Sequence, residues 1–208
     1  MRSDAGRLDF RNGQSICSAM VQPLGRPREF DPDAALDAAM ALFWHQGYEA
    51  TSLDALTKAM DLSRSSFYGC FGSKRDTLVA AIRRYADQRI AALEALIESE
   101  PDAERALRAA LAAIAGGGRD GCFLINCAVE MSPHDPEVES LGRWHLERLA
   151  ALLAGLLARR LGVAEAGAVE ARARALLSLA VGATVLRKAG CTAAEIENML
   201  AAADPLMR

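Results

Sequence analysis

Between positions 32 and 46, Ala35, Leu36, Ala39, Leu42 and Phe43 recur at the three-and-four spacing of one helix face. Asp31 is a fitting cap, Pro32 a fitting first residue and Gly47 a fitting stop. The period returns at shorter range in TSLDALTKAMDLSRSSFYGCF, residues 51–71. Leu53, Leu56, Ala59 and Met60 predict a core-facing stripe on a helix over about 52–60. Leu62, Phe67 and Phe71 would hold a second helix, over 64–71, against it. Thr51 is placed to cap the first helix, with Asp54 able to reach back, and Ser63 to cap the second. Arg64, Ser65, Ser66 and Tyr68 are then left pointing outward. A short helix with free N-terminal side chains, set behind another across a tight turn, is what a helix-turn-helix needs to enter a major groove. A long helix is expected from 73 to about 97. After Pro101 come helices at about 102–115, 121–131, 136–161, 166–188 and 193–203. The class is all-α, because the repeated period is helical and strand-favouring residues are sparse.

Composition narrows the picture. At 208 residues, 51% of them hydrophobic, the chain can bury a sizeable core. No run reaches the apolar length of a membrane span; the longest candidates, 149–158 and 175–186, stop at charged residues. Five cysteines without a framework pattern suit a reducing cytoplasm. The net charge is −3, and basic and acidic side chains cancel over residues 21–90, so any DNA footprint must come from placement. Residues 1–25 read as a disordered leader. Met20 opens an ordinary start, MVQPLGRPREF, so the residues before it are either an extension ahead of the true start or a flexible tail. Arg26 and Arg28, held extended by Pro27, are either an arm for a minor groove or phosphates, or a solvated basic tail.

Several residues carry the resemblance to a known family. These are Gly47-Tyr48 closing an apolar helix, Thr51-Ser52 opening the next, the Ser63–Ser66 run with Phe67-Tyr68, and the step from Phe71 through Ser73 to Lys74. Together they resemble the DNA-binding domain of the TetR family of bacterial transcriptional repressors. The resemblance implies a three-helix helix-turn-helix domain over 26–75 and a helical ligand-binding and dimerisation domain over 76–208. It implies DNA contacts from Thr51, Ser52, Ser63, Arg64, Ser65, Ser66, Tyr68 and Lys74, beside the possible arm of Arg26 and Arg28. By side-chain type, Arg64 can fork onto a guanine or clamp a phosphate, while Tyr68 and Lys74 suit phosphate. The resemblance further implies a homodimer through the last two helices, and a lever motion of the long fourth helix when a ligand binds. Gly69 and Cys70 depart from the pattern, which often carries a polar or aromatic residue there, so operator preference does not transfer.

The second domain carries a GCFLINCAVE segment, residues 121–130, which resembles one branch of the family. Cys122 falls in the first turn of its expected helix, where the dipole favours a thiolate. In the family architecture Lys188 or Arg187 would approach it. Cys122 is therefore either a sensor of electrophiles or oxidants, or a small buried hydrophobe. A pocket for a small, mostly apolar inducer is expected among Phe123, Trp144, Leu149 and Leu177, with Asn126, Glu130 and His145 as orienting groups. Trp44 is read as packing rather than a ligand platform, and His45 as a surface or cap residue rather than a metal ligand. His134-Asp135 is read as turn chemistry rather than a metal or catalytic pair. Gly116–Gly118 lacks the lysine of a phosphate loop, and no metal or cofactor set is apparent. An enzyme using Cys122 would need a base that the spacing does not supply. The expected function is a cytoplasmic one-component repressor. It would bind a palindromic double-stranded operator as a homodimer, be released by a small-molecule or electrophile inducer, and have no membrane partner.

Overall fold

The computed structural model describes residues 30–161 and 166–208, all-helical in their regular structure. The elements in order are α1 (Pro32–Gln46), α2 (Leu53–Ala59), α3 (Arg64–Phe71), α4 (Lys74–Ser99), α5 (Ala103–Ala115), α6 (Phe123–Met131), α7 (Pro136–Leu161), α8 (Ala166–Lys188), α9 (Ala193–Ala201) and a closing 3-10 turn (Asp204–Met207). Among the described residues no helix is long and apolar enough to cross a membrane. Arg26, Arg28 and the leader lie outside the described residues.

The expected punctuation sets most boundaries. Asp31 accepts from the Asp33 and Ala34 N–H groups at the start of α1. Ser63 accepts from Ser66 N–H, and Ser73 from Asp76 N–H. Two expectations are corrected at α2. Its cap is Ser52, whose hydroxyl accepts from Ala55 N–H. Thr51 is instead fully buried, and its hydroxyl donates to Gly47 O at 2.6 Å, tying the end of α1 to the start of α2. Ala59 faces solvent, and Thr57 takes its place in the core. Cys122 is the cap residue of α6 rather than part of its first turn, and its side chain makes no capping bond.

Two cores share the length of α4. The N-terminal one gathers Ala39, Phe43, Leu56, Phe67 and Phe71 against Leu78, Ile82 and Tyr85 of α4. Phe123, Leu124 and Cys127 of α6 also enter it, with Val138 and Leu141 of α7, so α6 is packed into the core that carries the helix-turn-helix. The second core joins α5, α7, α8 and α9 to the far end of α4 through Ile90 and Leu93, with Leu107, Leu153, Leu157, Leu176 and Ile196 at its centre. α4 is thus one continuous helix with one end in each core. Four α4 residues tie the helix outward at the surface. Arg75 forks onto Asp135, at 2.6 and 2.8 Å, and also reaches Glu137; Arg83 meets Glu137 as well. Arg84 forks onto Asp37 of α1, and Arg89 donates to Ala113 O at the end of α5.

Candidate nucleic-acid interface and ligand cavity

α3 presents the outward surface that a groove-reading helix requires. Phe67 and Phe71 anchor it, their rings stacked at 6.1 Å, while Arg64, Ser65, Ser66 and Tyr68 are exposed. The serines are ordered: Ser63 Oγ lies 3.0 Å from Ser65 Oγ and 2.9 Å from Ser66 Oγ. Arg64 donates from Nε and Nη2 to one oxygen of Asp54, at 3.1 and 2.5 Å. This holds the only cation of α3 in a fixed direction. Lys74 stands 4.2 Å over the Tyr48 ring at the start of α4, a cation-π contact that sets its ammonium beside a helix N-terminus. Of the expected DNA contacts, Ser63, Arg64, Ser65, Ser66 and Tyr68 therefore share one exposed surface, with Ser52 exposed as the cap of α2. Thr51 is buried away from it.

α6 is fastened to the end of α1. Glu130, near its C-terminus, accepts from Tyr48 N–H at 3.0 Å and Glu49 N–H at 2.8 Å. Gly47 makes room for this. It has φ +83°, and a Cβ there would lie 3.2 Å from a Glu130 carboxylate oxygen. Glu130 thus clamps α6 to the end of α1. At the other end of α6, Asp120 O accepts from Trp44 Nε1 at 3.3 Å and from Asn126 Nδ2 at 2.8 Å. Gly121 presses α6's entry against α8: its φ is +71°, and a Cβ would meet Thr184 O at 3.2 Å.

Beside this junction lies a cavity of about 180 Å³. Its walls come from both cores: Trp44 of α1, Tyr85, Arg89 and Leu93 of α4, Ile114 of α5, Cys122 and Ile125 at α6, His145 and Leu149 of α7, and Thr184 of α8. Trp44 and Tyr85 meet edge to face at 5.3 Å, and Phe123 closes the cluster behind them. Tyr85 Oη lies 3.5 Å from Cys122 Sγ, and burial pushes the Tyr85 hydroxyl well above its ordinary range. His145 is 3% exposed, and its Nδ1 has no hydrogen-bond partner. Burial, and then the Arg89 cation, hold its pKa down to about 4, so it is neutral near pH 7.

Of the expected ligand and sensor residues, Cys122 and His145 meet in this cavity. Trp144 does not line it; it packs against the N-terminal core. Lys188 and Asn126 line a neighbouring groove with Cys127 and Glu130. Arg187 donates to Ala115 O. Phe123 is fully buried, and Leu177 borders a shallow groove elsewhere. Cys127 is a core residue whose thiol burial pushes far up, with the Glu130 charge adding to it. His45 is exposed, 3.8 Å from Asp120, and Asp135 caps α7 through the Glu137 and Val138 N–H groups. Among the described residues no cluster of His, Cys, Asp or Glu is arranged to hold a metal. Sequence reasoning missed Arg89 and Tyr85 and placed packing ahead of a ligand platform for Trp44. A cationic and an aromatic residue four apart on α4 was the one available hint.

Residues 35–82 match the family model of bacterial regulatory proteins, tetR family. The HTH-type transcriptional repressor ComR of Escherichia coli (strain K12) is 42% identical over 120 residues, 55% of this chain and 57% of that protein. The uncharacterized HTH-type transcriptional regulator YezE of Bacillus subtilis (strain 168) is 34% identical over 120 residues, 55% of this chain and 62% of its own length. The chain therefore spans about three-fifths of these curated relatives. Among solved structures, the TetR family transcriptional regulator CifR was determined as a cysteine mutant complexed with 26-bp double-strand operator DNA. It is 27% identical with a TM-score of 0.71, covering 88% of this chain and 98% of that one. The reduced form of E. coli NemR has a TM-score of 0.72 at 22% identity, covering 84% of this chain and 95% of that one, and shares the fold. Residues 35–82 thus carry the tetR-family match, and the described fold is similar to that of the TetR family regulator CifR.

Proposed function

We propose that the protein is a one-component transcriptional repressor that grips a palindromic operator as a homodimer and releases it when its cavity is filled. The observation that carries this reading is the shared wall. Trp44 and Tyr85 belong to the helices that hold the helix-turn-helix, and α6 runs from Cys122 at the cavity to Glu130 on the α1–α2 turn. A molecule wedged against Trp44, Tyr85 and the start of α6 pushes on the mounting of α3. The DNA-bound CifR and the repressor name of ComR support the operator half of the reading. The dimer half is supported by α8 and α9, which leave Leu179, Val185, Leu186 and Met199 exposed at the end of the chain. Covering these residues would remove an apolar patch from water, and a two-fold pair of α3 helices suits a palindrome.

A specific observation favours a second mode of release. Cys122 is a free thiol that opens into the cavity beside the Tyr85 hydroxyl, so an electrophile reaching the cavity meets a nucleophile there. The test is fluorescence anisotropy of duplex DNA from upstream of the gene, titrated with reduced protein, then with protein treated with a Michael acceptor, and repeated with Cys122→Ser. The expected result is tight binding by both reduced proteins and release by the electrophile only where Cys122 is present. Equal loss from both would remove Cys122 from the mechanism. Absence of binding by the reduced dimer would overturn the repressor reading.

A further inference from the structure

We infer that the cavity is built for a small organic anion, a carboxylate on a single ring or a chain of similar bulk, held by Arg89 and His145; this rests on the cavity being the inducer site. Size sets the first limit. An apolar cavity of about 150 Å³ holds a benzene ring, and this one measures about 180 Å³. Most of its lining is hydrocarbon, including Leu93, Leu96, Ile114 and Leu149, which suits a compact apolar body.

Charge sets the second limit. No aspartate or glutamate lines the cavity among the described residues, and Arg89 is its only formal charge. Arg89 Nη2 is fixed at 2.7 Å on Ala113 O, an otherwise orphaned carbonyl near the end of α5. That bond orients the guanidinium, and Nε and Nη1 have no acceptor among the described residues. A fixed, uncompensated guanidinium in an apolar wall favours an opposite charge and repels a cation. Its planar fork matches a carboxylate.

His145 supplies the third limit. Its ring is nearly sealed in the wall, and Nδ1 lacks any partner. A neutral imidazole carries one N–H for a bound oxygen. Buried polar groups are ordinarily satisfied, so an imidazole in the cavity wall with an unpartnered ring nitrogen has bonding capacity to spare. Arg89 and His145 come from α4 and α7 and line the same cavity. The Thr184 hydroxyl is already committed to Val181 O, so recognition of the charged end falls to the other two.

The test is isothermal titration of the reduced full chain with benzoate and hexanoate, each against its amide of the same shape, and with benzylamine. The expected result is that an acid binds at least about tenfold tighter than its amide and that benzylamine does not bind. Arg89→Gln keeps a donor for Ala113 O and should remove that preference. Arg89→Lys keeps the charge without the fork and should fall between. Acid and amide binding equally, no binding of either at millimolar concentration, or an undiminished preference in a folded Arg89→Gln would each overturn the inference. A protein that holds operator but no acid fails this inference alone. A protein that prefers the acid but holds no DNA keeps the anion site and loses the repressor reading.

Discussion

Removing the Glu130 carboxylate tests whether α6 is mechanically joined to the helix-turn-helix. Its two oxygens accept from Tyr48 N–H at 3.0 Å and Glu49 N–H at 2.8 Å, across more than eighty residues of sequence. A hydrogen bond to a charged group contributes about 1.5–3 kcal/mol. The Glu49 amide is exposed and regains much of that from water, whereas the Tyr48 amide is half-buried and cannot. Glu130→Ala should therefore cost about 2 kcal/mol, nearly all from Tyr48. Glu130→Gln should lose less, since one oxygen remains to accept while the amide nitrogen faces the other N–H. Urea unfolding gives the magnitude, and amide exchange gives the location: protection should fall at Tyr48 and Glu49 and stay unchanged in α5 and α9. A loss below about 0.5 kcal/mol with unchanged exchange at those two amides would refute the clamp, and with it the route from cavity to α3 through α6.

Other outcomes follow from single sites. Gly69 sits inside α3 with open space where a Cβ would be, so Gly69→Ala should stabilise the protein by about 1 kcal/mol, read as a higher urea midpoint. His145 should make the fold acid-sensitive. Burial, then Arg89, lower its pKa from 6.5 to about 4, so below pH 6.5 the unfolded chain takes up a proton that the folded one refuses. Stability is full above pH 6.5 and falls by up to about 3 kcal/mol on approaching pH 4; His145→Gln should flatten that fall, seen by unfolding at stepped pH. Asp135 acts lower. Arg75 and the Val138 and Glu137 N–H groups hold its pKa below the usual 3.8 against the opposing effect of burial. Its contribution is present above that value and lost as pH falls through the folded pKa, a loss that Asp135→Asn should remove. Arg64→Ala should weaken operator binding by about 1–3 kcal/mol with circular dichroism and dimer mass unchanged; unaltered affinity would move the contact elsewhere.

How much of this was legible in the sequence depends on what each feature rests upon. α1, α3, α7 and α8 run between the residues expected, because caps, glycines and prolines act over a few positions. Thr51 and Ser52 were exchanged because both hydroxyls can cap a helix, and only tertiary packing, with Thr51 shut against Gly47 O, decides between them. Glu130 read as a polar group on a buried helix. Its partners are backbone amides, which have no residue type to betray them. Trp44 read as packing, which it is; that its other edge faces a cavity depends on how α1 meets α4 and α6. Arg89 was one of many arginines, and its meaning comes from a cavity wall that holds no carboxylate among the described residues. The chemistry of Cys122 was visible, but its neighbours were not. The family architecture suggested Lys188, and the group at hydrogen-bonding distance is Tyr85.

The most direct test of the account is a footprint of the purified, reduced protein on DNA upstream of its gene. The account predicts two protected half-sites related by a two-fold axis, with successive centres about one helical turn apart or a multiple of it, and their disappearance for a folded Arg64→Ala dimer. Protection without symmetry or sequence preference, or an Arg64→Ala footprint like the parent's, would contradict the claim that α3 of two copies reads the operator.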